Sequence, residues 1–219
     1  DPVTLEQHGT EGWVPIDGIS AHPKVDLATG ELLFFNYSKY PPYQHYGVVD
    51  KNNKLVHYTP VPLPGPRLPH DMAFTKNYSI MADLPMFWDE EKISENKYHP
   101  HYHPDMPTRF AIIPRYGSEE DIMWFEAKPT YVLHWMNAYE EGDEIVLDGY
   151  FQDQPNPPPI AGLPIGPGKL MANIDLSSLQ TKLHRWRFNL KTGETTEEHL
   201  DERVLEFGSF NQKYAGIKN

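Results

Sequence analysis

Cysteine is absent from this 219-residue chain. Without thiols the chain has no disulfide framework and no thiolate that could act as a nucleophile or metal ligand. The same absence excludes a CxxCH haem-attachment motif. A chain without cysteine fits the reducing cytoplasm, which is the location we expect.

Basic residues are also scarce. The chain has 19 Lys and Arg against 31 Asp and Glu, so its formal net charge is −12 at pH 7. An acidic balance argues against the basic footprint by which proteins bind nucleic acids. No apolar run approaches the roughly 20 residues of a membrane-spanning helix. From the acidic balance we expect no nucleic-acid partner. A glycine-rich dinucleotide loop is missing too, so we expect no nicotinamide or flavin cofactor.

Proline and glycine, by contrast, are abundant. The chain has 22 prolines and 15 glycines and is 13% aromatic, a composition that favours many short strands joined by turns. Short apolar or alternating runs recur at ELLFFNYS, YGVVDKNNKLVHYTPV, YSIMADLPMF, TRFAIIPRYG, IMWFEA, EIVLDGYF and KLHRWRFNLKTGETTEEHL. Turn signals stand at 26–30, 50–53 and 189–193. This regular spacing is typical of an antiparallel propeller or a sandwich, and the spacing alone leaves both open.

Two segments lack this repeating pattern. Residues 86–108 are polar and bounded by prolines, and residues 152–169 are rich in proline. Such long segments are usually functional lids or connectors. The first contains the tract His99-Pro100-His101-Tyr102-His103, whose flanking prolines favour an exposed loop. We expect adventitious metal binding at this tract rather than a structural metal.

Three other histidines stand at the ends or starts of predicted strands. His22 lies in AHPKVDLATGEL, His70 in LPHDMAFTKNYSI and His134 in YVLHWMNAYEEGDEIVLDGYF. They are too far apart in sequence for one helix to present them together. Imidazoles gathered from distant strands are one way in which a sheet scaffold builds a transition-metal site with open positions. Taken singly, however, a strand-end histidine is more often a surface or hydrogen-bonded core residue.

The sequences around these histidines resemble those of the carotenoid cleavage oxygenases, a family of non-haem iron enzymes with stilbene-cleaving members. The resemblance is carried, in order, by Thr4-Leu5-Glu6 with Gly9 ahead of AHPKVDLATGEL, by His70-Asp71-Met72, by His134 with Asn137-Ala138-Tyr139-Glu140, and by Arg203-Val204-Leu205-Glu206-Phe207 with Asn211. It implies an all-β fold in which residues 1–219 form part of a seven-bladed β-propeller built from antiparallel strands.

The resemblance also implies the cofactor and its ligands. His22, His70 and His134 match ligands of Fe(2+), and neutral imidazoles suit this ion while leaving positions for O2. Family members use four histidines and are considerably longer, and their fourth ligand lies near the C-terminus. No histidine follows His199 here. We therefore expect an internal fragment of a longer protein, with the fourth ligand outside it.

Residues around the proposed ligands complete the predicted site. Glu206 in LEFGSFN resembles the family glutamate that orients a ligand histidine, although Gly208 stands where many relatives have proline. We predict that Trp135 and Phe207 bind substrate, because each adjoins a proposed site residue and aromatic faces suit a conjugated molecule.

The implied function is cleavage of a conjugated carbon–carbon double bond of an apocarotenoid or stilbene by Fe(2+) and O2, which gives carbonyl products. The partners of such an enzyme are O2 and a small hydrophobic conjugated substrate. Uptake of this substrate is compatible with peripheral contact with a membrane. A second class stays open, a non-enzymatic propeller segment that serves as a binding module with an incomplete metal site. A fourth histidine downstream in the full-length reading frame favours the enzyme, whereas a stop codon after Asn219 favours the module.

Overall fold

The computed structural model describes residues 1–88, 91, 100–155 and 180–218. In this part of the chain all the sheets are antiparallel, and short 3-10 helices are present at Glu119–Asp121 and Gln212–Tyr214. The expected all-β antiparallel class is therefore confirmed. Among the described residues, no helix is long and apolar enough to cross a membrane.

The strands form three four-stranded sheets and one two-stranded ribbon. Sheet 1 contains β1 (Lys24–Asp26), β2 (Glu31–Tyr37), β3 (Gln44–Val49) and β4 (Leu55–Pro60), in that order. Sheet 2 contains β5 (Ala73–Phe74), β6 (Tyr78–Asp83), β9 (Thr108–Pro114) and β10 (Met123–Ala127), in that order. Sheet 3 contains β11 (Trp135–Glu141), β12 (Glu144–Gln152), β13 (Thr181–Asn189) and β14 (Thr195–Val204), in that order. The ribbon pairs β7 (Met86–Trp88) with β8 (Pro100–Tyr102).

The turns follow the signals in the sequence. Between β1 and β2 the chain reverses at Gly30, whose φ of +75° is a left-handed conformation that glycine adopts without steric cost. Between β3 and β4, the Asp50 carboxylate accepts hydrogen bonds from the backbone N–H groups of Asn52 and Lys54, both at 2.9 Å. These are side-chain-stabilised turns of the kind that the residue pattern predicts.

The segment 86–108 differs from its prediction. We expected an exposed loop at 99–103, but Pro100–Tyr102 forms a strand, and the His103 ring stacks on Phe87 with centroids 4.1 Å apart. The prolines permit this pairing because one opens the short strand and the other follows it. His99 and the proline-rich residues 156–169 lie outside the described residues.

Sheet 2 is buried on both faces, and each face belongs to a different hydrophobic cluster. In β9, the fully buried Phe110 and Ile112 pack towards sheet 3, and the alternate residues Ala111 and Ile113 pack towards sheet 1. Successive strand side chains point to opposite faces, so an unbroken apolar run suits a sheet covered on both sides. The three sheets therefore pack face to face in series.

A buried ion cluster joins sheets 1 and 2. The Arg115 guanidinium donates to Asp26 at 2.7 Å, to Glu31 at 2.8 Å and to the carbonyl of Thr75 at 2.8 Å. Its hydrogen bonds and charge partners outweigh burial and raise the pKa of Arg115, so the cation persists at every physiological pH. Sheet 1 is thus fixed against sheet 2 by charge as well as by apolar packing.

Candidate metal centre

The three predicted ligand histidines occupy equivalent places in the fold. His22 precedes β1, His70 precedes β5 and His134 directly precedes β11. Each of these strands is the first of its sheet in chain order and stands at the sheet's edge. Because the sheets pack in series, the segments that lead into the three strands meet at one place.

The histidine rings surround a common point. Their centroids are 4.7 Å apart for His22 and His70, 5.0 Å for His22 and His134, and 5.1 Å for His70 and His134. One nitrogen from each ring lies within 4.8 Å of the other two. In the part of the chain that the structure describes, no other group of three His, Asp or Glu side chains meets this criterion.

The geometry fits a transition-metal ion. The Nε2 atoms of His22 and His70 are 3.0 Å apart. Two imidazole nitrogens bonded at about 2.1 Å to one ion, at right angles, would be separated by about 3 Å. Three neutral imidazoles are a suitable donor set for several divalent transition metals, including iron. Ligation by these histidines nevertheless stays a prediction, as does the choice of Fe(2+).

The surroundings favour neutral imidazoles. Burial lowers the pKa of His22 below its ordinary value of 6.5, and the neighbouring carboxylate of Asp71 only partly opposes this. Burial also lowers the pKa of His70, and the adjacent rings of His22 and His134 lower it further. Neutral rings are the form that binds a metal, so protons compete weakly for these two nitrogens near neutral pH.

Acidification is expected to destabilise the metal-free protein. The pKa of His22 and His70 is lower in the folded chain than the ordinary 6.5, so the unfolded chain binds more protons as the pH falls below 6.5. Their contribution to stability is full above that value and is lost on acidification. Chemical denaturation of chelator-treated protein at several pH values between about 8 and 5 measures this loss. The variants His22→Gln and His70→Gln should show a weaker dependence, and a stability that increases on acidification would contradict the assignment.

Glu206, which follows the last strand of sheet 3, contacts His134, which precedes the first. It lies just beyond β14, and its Oε1 atom accepts a hydrogen bond from His134 Nδ1 at 3.1 Å. The carboxylate also accepts from the backbone N–H of Phe207. A partner on Nδ1 fixes the tautomer and orientation of the ring and leaves Nε2 free to face the other two histidines.

Replacing Glu206 with glutamine should weaken metal retention by about 10- to 100-fold, the usual effect of losing an outer partner of a ligand histidine. The amide keeps the size of the side chain and removes the charge that favours the bound ring. Metal content after dialysis against a graded chelator series measures the change. The exposed Glu202, whose carboxylate pairs with Lys182, provides a matched control in Glu202→Gln. Equal metal content in Glu206→Gln and the wild type would contradict the role of Glu206 in orienting His134.

The segment after Glu206 is held in an unusual conformation. Phe207 has a φ of +50°, and its ring centroid lies 4.3 Å from that of His134. The next residue, Gly208, donates its backbone N–H to the Tyr150 hydroxyl at 2.6 Å. A Cβ atom at position 208 would lie 2.0 Å from that hydroxyl. Proline at this position would lose this hydrogen bond and clash, so Gly208 and Tyr150 are mutually matched.

The two predicted substrate-binding aromatics have different surroundings. Phe207 is 69% exposed and lies next to the histidines. The Trp135 indole is buried and packs against the rings of Phe110 and Trp186, at centroid distances of 5.8 Å and 5.5 Å. Both residues line the same cavity, and contact of either with a substrate stays a prediction.

This cavity lies beside the histidines and has a volume of about 320 Å³. Its size falls at the lower end of the range for small-molecule sites, which are mostly apolar with a few polar groups. The apolar side chains along its wall come from all three histidine segments and from the segment after Glu206. They include Val25, Met72, Phe74, Met136, Phe207 and Phe210.

Two residues near the site were not predicted from the sequence. Lys24 and Asp71 form a salt bridge of 2.6 Å between Nζ and Oδ1 beside the histidines. The sequence signal for Asp71 is a charged residue between His70 and the apolar run that continues into β5. Nothing in the sequence shows that Lys24, 47 positions earlier, is its partner.

The described structure is therefore an all-β scaffold with three converging imidazoles beside a cavity, an arrangement that could hold a transition-metal ion. Comparison with known proteins gives the family. The family model described as RPE65, retinal pigment epithelial membrane protein, matches residues 1–219. The chain therefore belongs to this family of carotenoid oxygenases, and the resemblance seen in the sequence is confirmed.

Individual relatives agree with this placement. Carotenoid 9,10(9′,10′)-cleavage dioxygenase 1 of Arabidopsis thaliana is 35% identical over 201 residues, which cover 91% of this chain and 36% of the relative. Isoeugenol monooxygenase of Pseudomonas putida is 31% identical over 223 residues, which cover 98% of this chain and 45% of the relative. The solved lignostilbene dioxygenase of Pseudomonas brassicacearum superposes with a TM-score of 0.75 at 27% identity, covering 92% of this chain and 42% of that one. The chain thus spans less than half the length of these relatives.

Proposed function

We propose that the protein containing this chain is a non-haem Fe(2+) dioxygenase that cleaves a conjugated carbon–carbon double bond of an apocarotenoid or a stilbene. The observation that carries the proposal is the convergence of His22, His70 and His134, with one nitrogen of each ring within 4.8 Å of the other two. The names of the relatives, which include a carotenoid cleavage dioxygenase and a lignostilbene dioxygenase, supply the reaction class.

Three imidazoles would hold the ion. The Nε2 atoms of His22 and His70 face each other, and the bond from His134 Nδ1 to Glu206 leaves His134 Nε2 to complete the set. When bound, Fe(2+) would supply the capacity to bind and activate O2. We propose that a fourth histidine outside this chain completes the ligand set.

The architecture proposed for the whole protein is a seven-bladed propeller, to which this chain contributes sheets 1, 2 and 3. Support comes from the packing of the three sheets in series and from the equivalent position of a histidine before the first strand of each. A propeller that gathers the starts of its first strands near one point would place ligands from several blades around one ion.

The apolar wall next to the histidines suits a conjugated substrate. Phe74 and Phe207 offer aromatic faces, and Met72 and Met136 offer polarizable side chains that adapt to irregular shapes. These apolar side chains would limit the access of water to the reacting bond. In the proposed reaction the alkene C=C bond and the O2 bond break and two C=O bonds form, so no external reductant is needed.

The test uses the iron-loaded full-length protein with two substrate panels, hydroxystilbenes and apocarotenoids. We expect two carbonyl products for each alkene consumed, detected by mass spectrometry, and loss of turnover when iron is removed. Reaction under ¹⁸O2 should label the new carbonyl oxygens. Turnover that persists after complete iron removal would contradict the mechanism. Turnover of neither panel would favour the non-enzymatic binding module.

A further inference from the structure

We propose that Asp71 is a positioning residue that sets the spacing of the three histidine-bearing segments, an inference that rests on the proposed metal site. Its side chain is 2% exposed and its charge is paired with Lys24. Asp71 follows His70 directly in sequence. Its carboxylate bonds to groups from the three segments that carry the histidines, each of which leads into a different sheet.

The bonds use both carboxylate oxygens. Oδ1 accepts from the Lys24 ammonium at 2.6 Å and from the backbone N–H of Met72 at 2.7 Å. Oδ2 accepts from the backbone N–H of Trp135 at 2.9 Å. In addition, the Asp71 carbonyl accepts from the indole N–H of Trp135 at 3.3 Å.

Each partner lies within two positions of a proposed ligand. Lys24 follows His22 by two positions, Met72 follows His70 by two, and Trp135 follows His134 directly. Since the segments belong to different sheets, a side chain bonded to all three restrains the separations between the imidazoles. Glu206 differs in role, because it bonds one ring directly and sets that ring's orientation.

Aspartate suits this position for two reasons. An ionised carboxylate can accept at both oxygens, whereas asparagine has one acceptor oxygen and would turn an N–H2 group towards a donor. A buried charge is costly unless it is paired, and here the Lys24 ammonium is the paired cation. Asp71→Asn should therefore leave a donor unsatisfied and loosen at least one segment.

The experiment compares Asp71→Asn with Asp148→Asn in the full-length protein. Asp148 is a matched control because it is also a largely buried carboxylate, and it is bonded to Arg185 by two contacts of 2.8 Å between strands of sheet 3. Cobalt(II) serves as a spectroscopic probe of the metal site. We expect Asp71→Asn to weaken cobalt binding by about 10- to 100-fold and to change the visible absorption spectrum. Asp148→Asn should keep the wild-type spectrum even where it lowers thermal stability. An Asp71→Asn protein with wild-type affinity and spectrum would overturn the inference.

A second variant covers the case in which Asp71→Asn fails to fold. Lys24→Met removes the contact with the segment that carries His22 and leaves the two backbone contacts of Asp71 in place. A changed cobalt spectrum in this variant supports the inference, and an unchanged one overturns it.

Nuclear magnetic resonance of the metal-free protein separates this inference from the proposed function. If the wild type binds neither iron nor cobalt, the proposed function fails, but the positioning role can still be judged from the histidine ring nitrogens. Asp71→Asn should shift the ring signals of His22 and His134, which lie in other segments. Unchanged signals from both rings would overturn the positioning role.

Discussion

Replacing His70 with alanine should abolish iron retention and, with it, the proposed cleavage activity. The variant removes one of the three imidazoles that converge on the site. Its Nε2 atom lies 3.0 Å from His22 Nε2. Loss of a ligand should exceed the effect of losing an outer hydrogen-bond partner, which is about 10- to 100-fold in affinity. Elemental analysis of protein purified with iron and passed over a desalting column measures the bound metal.

The control for this variant is His103→Ala. His103 belongs to the histidine-dense tract at 99–103, and its ring stacks on Phe87. We expect this variant to retain iron as the wild type does. If His70→Ala retained iron and His103→Ala lost it, the assignment would be contradicted and the iron site would lie in that tract.

Replacing Arg115 with leucine should lower the free energy of unfolding by about 3–5 kcal/mol, the typical cost of breaking a buried ion pair by removing one partner. The variant would strand the carboxylates of Asp26 and Glu31, whose side chains are 9% and 12% exposed. It would also remove the donor to the Thr75 carbonyl. Denaturation with urea, followed by fluorescence and circular dichroism, measures the difference.

Two further variants define the cause of that loss. Arg203→Leu removes an exposed arginine that pairs with Asp201 on the surface, and its denaturation midpoint should stay close to that of the wild type. Adding Asp26→Asn and Glu31→Gln to Arg115→Leu should restore part of the stability, because the stranded charges are removed. Equal stability of Arg115→Leu and Arg203→Leu would contradict the structural role of the cluster.

The strands could be predicted because their residue patterns are local. The run ELLFFNYS predicted β2, and the asparagine and glycine signals at 50–53 and 189–193 predicted the turns before β4 and β14. The short ribbon could not be predicted in the same way. Its two strands are separated by a polar segment without a repeating pattern, and the ring contact beside them, between Phe87 and His103, is not local in sequence.

The candidate site was predictable in part. The contexts of His22, His70 and His134 identified three side chains that the fold does bring together, and LEFGSFN identified the hydrogen-bond partner of His134. Substrate contact by Trp135 stays a prediction, because its ring packs into the core and also lines the cavity.

The bonds of Asp71 lay beyond prediction. They connect side chains and backbone groups from the segments that lead into three sheets, and those connections depend on how the sheets pack against one another. No pattern within one strand records such a relationship. The same is true of Gly208 and Tyr150, which join the segment after β14 to β12.

The most direct test of the account is an anomalous diffraction map, recorded at the iron absorption edge from crystals of the iron-loaded full-length protein. We predict one strong peak within about 2.3 Å of an imidazole nitrogen from each of His22, His70 and His134. An iron peak at the 99–103 tract, or iron bound elsewhere with the three rings uncoordinated, would contradict it.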